Sequence, residues 1–316
     1  MTLAWIVGRG GMLGAALWRR LIHEGTQVFV PQERFDWCDE ERLRRQLESA
    51  TRAFAAVLAP GQCWEIYWAA GLGTMASSAD SMAAETRLLQ ALLAAASEQP
   101  GLLQSPGTLA LASSAGAIYA GSAAEVISEA TDIAPTTAYA HGKLAQEQRL
   151  QDFSAAHRST RAVIGRIATL YGPQPRIGKR QGLIAEMARR VVLNQPIHIY
   201  VPLDTIRDYL AVDDAADAMV ALVRSGACGS RSTMKIIASE QATTISEIVA
   251  TFKRVAHRMP RIVTSSSSLT DVYRRRIQFR SDGRPIAGAW PRTSLTAGVS
   301  RVLAAERLAF RVGVHQ

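Results

Sequence analysis

The sequence has few cysteines and no long hydrophobic run. Cys38, Cys63 and Cys228 are its three cysteines, and their wide separation matches neither a disulfide framework nor a metal-binding cluster. We therefore expect a reducing, cytoplasmic location and no bound metal. No stretch approaches about 18 uninterrupted apolar residues, which argues against a membrane-spanning helix. The first apolar residues lack a basic leader and run directly into glycines, so they predict a β-strand rather than a secretion signal.

What the sequence does have is an excess of positive charge. The formal net charge is +9 at pH 7, and arginines crowd the chain beyond position 250, where only Asp271, Asp282 and Glu306 oppose them. Such a region suits an anionic ligand such as a nucleotide diphosphate, non-specific nucleic-acid contact, or simply a solvated surface. The tryptophans are not interleaved with basic residues as in a stacking platform for bases, so nucleic-acid binding is the least favoured.

Short apolar strands alternate with amphipathic helices through the first half of the chain. The pattern predicts strands at 3–7, 28–30, 65–70, 108–112 and 161–167, and helices at 12–23, 39–50, 80–97 and 139–156. This alternation is typical of βαβ units in a Rossmann-type, doubly wound parallel sheet of the α/β class. We predict that domain over 1–172 and a smaller mixed substrate lobe over 173–316, with some segments between 206 and 238 returning to the main sheet.

A glycine-rich turn follows the first predicted strand and opens the first predicted helix. It reads Gly8-Arg9-Gly10-Gly11-Met12-Leu13-Gly14. Glycines at 8, 11 and 14 allow a tight turn, close approach of a pyrophosphate, and close contact between helix and strand. The free amides and the positive dipole end of the helix would then face the phosphates. The turn predicts a dinucleotide-binding site to which all seven residues contribute.

The residues after the second strand bear on which nicotinamide cofactor binds. NAD sites usually carry a carboxylate there that holds the ribose 2′-hydroxyl. This chain instead has Pro31 and Gln32, followed by Glu33 and Arg34. Arg9 and Arg34 could both meet a 2′-phosphate, which favours NADP. NAD stays open, because Glu33 could serve it if the strand extends further than predicted.

Tyr139 and Lys143 are four residues apart in a predicted helix, so their side chains share one face. The lysine ammonium, together with the charge of an oxidised nicotinamide, should lower the pKa of Tyr139 towards neutrality and let it exchange a proton during hydride transfer. Ser113 and Ser114 end the preceding strand, where a hydroxyl can bind the substrate oxygen. The tyrosine–lysine spacing recurs by chance, but its order after a glycine turn and a Ser-Ser strand end indicates proton-coupled hydride transfer.

These motifs resemble those of the extended short-chain dehydrogenase/reductases, the superfamily that includes the NAD-dependent epimerase/dehydratase family of nucleotide-sugar epimerases and 4-ketoreductases. The matching segments keep the family's order along the chain, and they are Val7–Gly14, Trp68–Gly71, Ser113–Gly121, Tyr139–Lys143, Arg166–Pro173, Arg207–Asp214 and Pro291–Gly298. So many landmarks in one order make a chance resemblance implausible.

The resemblance implies roles for individual residues. Ser114 would complete a catalytic set with Tyr139 and Lys143, and Ser113 would be its alternative and a substrate contact. Besides the glycine turn, Arg34, Tyr139 and Lys143, the cofactor would meet Asp36, Trp37, Ala69, Ala70 and Ile167.

The resemblance also implies a nucleotide-diphosphate sugar as substrate. Arg207 would bind the diphosphate, Thr169 would contact the substrate, and one of the arginines at 274–276, for which we choose Arg275, would reach a phosphate. We expect a homodimer, because helices corresponding to 80–97 and 139–157 form a four-helix interface in this family.

Departures from the family pattern bear on the reaction. Dehydratases carry an acidic pair where this chain has Ala115-Gly116, so elimination of water has no evident catalyst. Thr169 and Glu85 stand where the family commonly has asparagine. The short link from Val30 to Asp36 resembles the 4-ketoreductases, whereas the C-terminal half resembles the epimerases. Epimerase and reductase both stay open, and the alternative of another class is a non-catalytic NADP-binding sensor or scaffold of the same fold.

Overall fold

The computed structural model describes residues 2–174, 182–225, 231–257, 260–264, 276–282 and 292–312. The strands are β1 (Leu3–Val7), β2 (Gln27–Phe29), β3 (Trp64–Trp68), β4 (Gly107–Ser114), β5 (Thr160–Ile167), β6 (Thr169–Tyr171), β7 (Ile197–Ile199), β8 (Ile206–Ala211), β9 (Ser232–Ile237), β10 (Ala242–Thr244) and β11 (Ile262–Thr264). The helices are α1 (Met12–His23), α2 (Glu40–Ala56), α3 (Ala79–Ser97), α4 (Pro100–Gln104), α5 (Ala115–Ile118), α6 (Ala138–Ala156), α7 (Leu183–Val192), α8 (Val212–Arg224), α9 (Ile245–Ala256) and α10 (Leu295–Arg311).

A six-stranded sheet with the order β2-β1-β3-β4-β5-β9 forms the centre of the molecule. Every neighbouring pair in it is parallel. β1 and β3 are buried at every position, as strands covered on both faces of a parallel sheet must be. The predicted Rossmann-type α/β class is confirmed. The strand order changes direction between β1 and β3, which opens a crevice at their carboxyl ends.

Helices cover both faces of this sheet. On one face α1 and α8 pack in a core cluster that includes Leu17 and Met219. On the other face α2 and α3 pack in a second cluster that includes Leu47 and Leu92. Within the described ranges, no helix combines the length and the apolar character needed to cross a bilayer.

The remaining strands form two smaller sheets, β10-β8-β6 and β11-β7. Helices α7, α9 and α10 pack in a third core cluster, with Met187, Phe252 and Val302 among its buried residues. Of the segments predicted to return to the main sheet, β9 does so beside β5, whereas β8 pairs with β6 and β10. The boundary between a domain at 1–172 and a lobe at 173–316 stays a prediction.

Element bounds follow the sequence pattern closely in the first half. β1 and α1 span the predicted residues. Helix α2, predicted to end near residue 50, continues to Ala56, because Thr51 and Phe54 extend its buried face by another turn. The short helices α4 and α5 and the short strand β6 were not predicted, since pieces of three to five residues carry little periodicity.

Gly107 provides a test of how tightly the sheet is packed. A Cβ at Gly107 would lie 2.0 Å from Trp64 Cε2, and the indole is held by a 3.0 Å hydrogen bond from its Nε1 to the Leu102 carbonyl. We expect Gly107→Ala to lower the free energy of unfolding by about 1–3 kcal/mol, measured by urea denaturation. Gly101→Ala is the control, because the nearest atom to its Cβ would be 3.9 Å away. Equal unfolding free energies for the two variants would contradict this packing.

Candidate functional site

The glycine turn closes against the ends of β1 and β3. Gly8 has a φ of +90°, and a Cβ there would lie 2.7 Å from the Ala70 nitrogen. A Cβ at Gly14 would lie 2.2 Å from the Gly8 carbonyl oxygen, to which the Gly11 amide donates at 2.9 Å. Glycine is therefore required at 8 and 14, since a side chain at either position would force the helix and the strands apart.

Helix α1 begins at this turn with its amides directed towards the crevice side of the sheet. No side chain among the described residues caps it at Gly11, so its first amides and its positive dipole end are available to an anion. Arg9 is exposed and lies over the Trp18 ring, 4.4 Å from its centroid. Leu13 packs into the core and Met12 is partly buried against it. The turn therefore fits a phosphate group through its backbone and through Arg9.

Gln46 of α2 holds the segment that follows β2. Its Oε1 accepts from the Asp36 amide at 2.9 Å, and its Nε2 donates to the Arg34 carbonyl at 3.0 Å. The Asp36 carboxylate pairs with Arg42 at 3.3 Å. Arg34 is exposed, and Trp37 is partly buried against the sheet's second core cluster. In this segment the Arg34 side chain is therefore open to solvent, whereas the Asp36 carboxylate is paired with Arg42.

Helix α6 brings Tyr139 and Lys143 to the carboxyl end of β4. The Thr137 side chain caps the helix by accepting from the Ala140 amide at 3.2 Å, so the helix begins one residue before Tyr139. The Lys143 ammonium lies 5.8 Å from the centroid of the Tyr139 ring. The Ser114 side chain, at the end of β4, lies near enough to the phenol to lower its pKa. The three residues predicted to be catalytic thus lie together.

Burial dominates the electrostatics of this pair. Burial raises the pKa of Tyr139 to about 12; the Ser114 side chain opposes that rise and the charge of Glu85 adds to it. Burial lowers the pKa of Lys143, against the charges of Glu85 and Glu147. In the chain alone the phenol is therefore protonated at neutral pH, and the near-neutral pKa that the sequence predicts for the cofactor-bound site stays a prediction. That expectation relied on the nicotinamide charge as well as on Lys143.

A buried ion pair lies beneath these residues. Arg166 on β5 and Glu147 on α6 are joined at 2.7 Å, and both are almost fully buried. Glu147 also accepts from the Ser113 hydroxyl at 2.5 Å, and Arg166 donates to the Tyr119 hydroxyl at 2.6 Å. Buried charges persist only where such hydrogen bonds satisfy them. The network fixes α6 against the ends of β4 and β5.

The residues predicted to contact the cofactor from the sheet lie around the same crevice. Ala69 and Ala70 follow β3, and Ala70 borders Gly8. Ile167 ends β5, is buried, and pairs with Ser114 across the sheet. Together with the glycine turn, these positions surround the carboxyl ends of β1, β3, β4 and β5.

The residues predicted to contact substrate are more scattered. Ser113 is buried, and its hydroxyl donates to Glu147. Thr169 is partly buried on β6. Arg207 lies on β8 opposite Thr243, and its Nη1 donates to the Ile206 carbonyl at 2.7 Å. Arg275 lies outside the described residues.

Sequence reasoning noted Glu85 only as a departure from the family and missed its place in the site. Its Oε1 accepts from the amides of Leu72 and Gly73, at 2.5 and 2.6 Å. The signal was available, because Glu85 is three residues from both Met82 and Leu88, so it lies on the buried face of α3. Across the described ranges, no group of histidine, cysteine, aspartate and glutamate is arranged to hold a metal ion.

Comparison with known proteins extends this geometry to a family. The model of the NAD dependent epimerase/dehydratase family matches residues 4–236. The chain belongs to that family. A curated relative, the dTDP-L-rhamnose 4-epimerase of Burkholderia thailandensis, is 34% identical over 92 residues. That match covers 29% of this chain and 25% of the relative, so the aligned part is only a quarter of the relative's length.

Solved structures with the same fold match over nearly the whole chain. The UDP-glucose 4-epimerase of Thermotoga maritima is 20% identical with a TM-score of 0.76, covering 99% of this chain and 100% of that one. RMD of Pseudomonas aeruginosa, solved with NADPH, is 20% identical with a TM-score of 0.76, and the match covers 98% of this chain and 99% of that one. The UDP-glucose 4-epimerase of Thermus thermophilus, solved with NAD, is 20% identical with a TM-score of 0.77, covering 97% and 99%. At these identities the likeness establishes the fold alone.

The buried ion pair makes a prediction about stability. Glu147→Gln removes the charge that balances Arg166, so we expect the free energy of unfolding to fall by about 3–5 kcal/mol, measured by chemical denaturation. Glu41→Gln is the control, because Glu41 pairs with Arg44 on the exposed side of α2 and its loss should change stability little. A glutamine variant at 147 as stable as the wild type would show that the pair does not hold α6.

Proposed function

We propose that the protein is an NAD(P)-dependent oxidoreductase that modifies a nucleotide-linked sugar, as an epimerase or as a 4-keto-sugar reductase. The observation that carries this proposal is the convergence of Ser114, Tyr139 and Lys143 beside the glycine turn. They lie at the carboxyl-end edge of the sheet, the side on which open α/β sheets bind ligands. Membership of the epimerase/dehydratase family supports the same substrate class.

The three residues have separate tasks in this proposal. A nicotinamide cofactor, when bound, supplies or accepts the hydride. The Tyr139 hydroxyl gives a proton to the sugar oxygen or takes one from it, and Ser114 orients that oxygen through a hydrogen bond. The Lys143 ammonium balances negative charge on the phenol oxygen. With a pKa of about 12, Tyr139 is protonated at neutral pH in the chain alone, which suits donation to a keto oxygen.

The residues around the glycine turn favour NADP over NAD. Arg9 and Arg34 are both exposed, and two guanidinium groups suit a 2′-phosphate. Asp36, a nearby carboxylate that could hold a ribose hydroxyl, is paired with Arg42. Among structures of the same fold, one was solved with NADPH and others with NAD, so the comparisons leave both cofactors open.

We also propose a cytoplasmic homodimer that binds neither nucleic acid nor membrane. Helices α3 and α6 pack against each other beside the sheet, and each keeps an exposed side that includes alanines. Those exposed sides would meet their copies in a second chain.

Arg34 allows the cofactor preference to be tested. Arg34→Gln should weaken binding of NADPH about tenfold, because a charge-assisted hydrogen bond to the 2′-phosphate is lost, and should leave binding of NADH nearly unchanged. Fluorescence titration with each cofactor measures the two affinities. Arg52→Gln, on the exposed side of α2, is the control. Equal weakening of both cofactors would refute a 2′-phosphate contact.

Tyr139 allows the chemistry to be tested. Tyr139→Phe should reduce hydride transfer with 4-keto or 4-hydroxy nucleotide sugars by about 10²–10⁴-fold while cofactor binding is kept, because the proton donor is lost. Turnover of UDP-, dTDP- and GDP-linked sugars is followed by nicotinamide absorbance and by exchange of deuteride into the sugar. Tyr200→Phe removes an exposed phenol and should leave the rate unchanged.

Two results would change the proposal. A Tyr139→Phe variant that keeps a large part of the wild-type rate would remove Tyr139 from the chemistry. If the wild-type protein binds cofactor but exchanges hydride with no member of the sugar panel, the non-catalytic sensor or scaffold would replace the oxidoreductase.

A further inference from the structure

Glu85 reaches from the buried face of α3 into the loop that follows β3. Its Oε1 accepts from two consecutive amides of that loop, those of Leu72 and Gly73. Its other oxygen, Oε2, is buried and accepts no hydrogen bond from the described part of the chain. Oε1 of the carboxylate therefore holds the loop, whereas Oε2 is a buried oxygen without a hydrogen-bond donor among the described residues.

The same loop borders the tyrosine–lysine pair. The point that a Cβ of Gly71 would occupy is 3.2 Å from Glu85 Oε2 and 3.6 Å from Lys143 Nζ, so the carboxylate and the ammonium border one small space that residue 71 leaves empty. A Cβ at Gly73 would lie 3.0 Å from Tyr139 Cδ2. The absence of side chains at 71 and 73 lets the loop pass between Glu85 and the pair.

Two carboxylates act on the buried Lys143, and they differ in their other partners. Glu147, from α6 itself, is already matched by the guanidinium of Arg166. Glu85, from α3, forms no ion pair with any arginine or lysine of the described ranges. The charge of Glu85 is therefore the one left to balance the ammonium of Lys143. The charge of Glu85 also raises the pKa of Tyr139.

We propose that Glu85 is a positioning residue of this site, whose carboxylate holds the 71–73 loop against α3 and keeps Lys143 charged in its buried environment. Burial alone favours the neutral amine, and a neutral Lys143 could not balance charge on the phenol oxygen. The charge of Glu85 opposes this by raising the pKa of Lys143. The inference rests on the proposed function only for the role of Lys143 in catalysis. The electrostatic interaction between Glu85 and Lys143 does not depend on any reaction.

Glutamine at position 85 separates the two tasks of the carboxylate. Its carbonyl oxygen can still accept from Leu72 and Gly73, whereas its charge is absent. Glu85→Gln should therefore keep the loop in place and lower the pKa of Lys143. In the reductive direction, which needs a protonated Tyr139 and a charged Lys143, the variant should also move the alkaline limb of the pH–rate profile to lower pH, because Glu85 raises the pKa of Tyr139 as well.

The decisive experiment is an NMR titration of the full chain labelled with ¹³C-lysine. The chain has four lysines, Lys143, Lys179, Lys235 and Lys253, so Lys143→Arg identifies the wanted signal. We expect the Lys143 signal to titrate at a lower pH in Glu85→Gln than in the wild type. Asp80→Asn, which neutralises an exposed carboxylate on the same helix, should leave the midpoint unchanged.

An unchanged midpoint in Glu85→Gln, or an equal shift in Asp80→Asn, would overturn the proposal. Should the glutamine variant not fold, Glu85→Asp keeps the charge but withdraws it by one methylene, and its Lys143 signal must then titrate below the wild-type midpoint. No turnover is needed for this measurement. Failure of the proposed oxidoreductase would instead appear as the absence of hydride exchange in the wild type, whatever the lysine titration shows.

Discussion

The ion pair between Glu147 and Arg166 ties the helix that carries the site to the strands that end beneath it. The Glu147 carboxylate pairs with Arg166 of β5 and accepts a hydrogen bond from Ser113 of β4. Lys143 and Tyr139 precede it by four and eight residues, so all three lie on one face of α6. The pair therefore sets both the rotation and the height of α6 against the sheet. Its cost in desolvation is offset because its oxygens and nitrogens are hydrogen-bonded.

The fixed helix faces a turn whose shape is equally constrained. Gly8 and Gly14 approach each other and the end of β3 so closely that a single methyl group would separate α1 from the sheet. The turn after β1 therefore fixes the position of the α1 amides on one side of the crevice. Helix α6 fixes the positions of Tyr139 and Lys143 on the other side. The loop at 71–73 spans the region between them, where Glu85 holds it through two amides. Precision in the site comes from these scaffold contacts rather than from the loop itself.

Local patterns predicted the first half of the chain because buried strands and capped helices are local signals. Local patterns do not indicate which sheet a buried strand joins. The sequences of β8 and β9 both predict a strand, although only β9 pairs with β5. Local patterns also could not choose between Ser113 and Ser114. Only the fold shows that the Ser113 hydroxyl donates to Glu147, whereas Ser114 acts on the Tyr139 phenol.

The same limit explains why the sequence did not predict the surroundings of the Tyr139 phenol. The spacing of Tyr139 and Lys143 predicts that they are neighbours on a helix. It does not predict how deeply they are buried, nor that a third charged residue, Glu85 of α3, lies near them. In the folded chain burial and Glu85 keep the phenol protonated, so removal of its proton requires positive charge that arrives with a ligand. A reductase needs Tyr139 only to donate, whereas an epimerase must first remove a proton from the sugar hydroxyl. Cofactor charge and acid–base chemistry are therefore coupled at this site, and an epimerase would depend on that coupling more than a reductase.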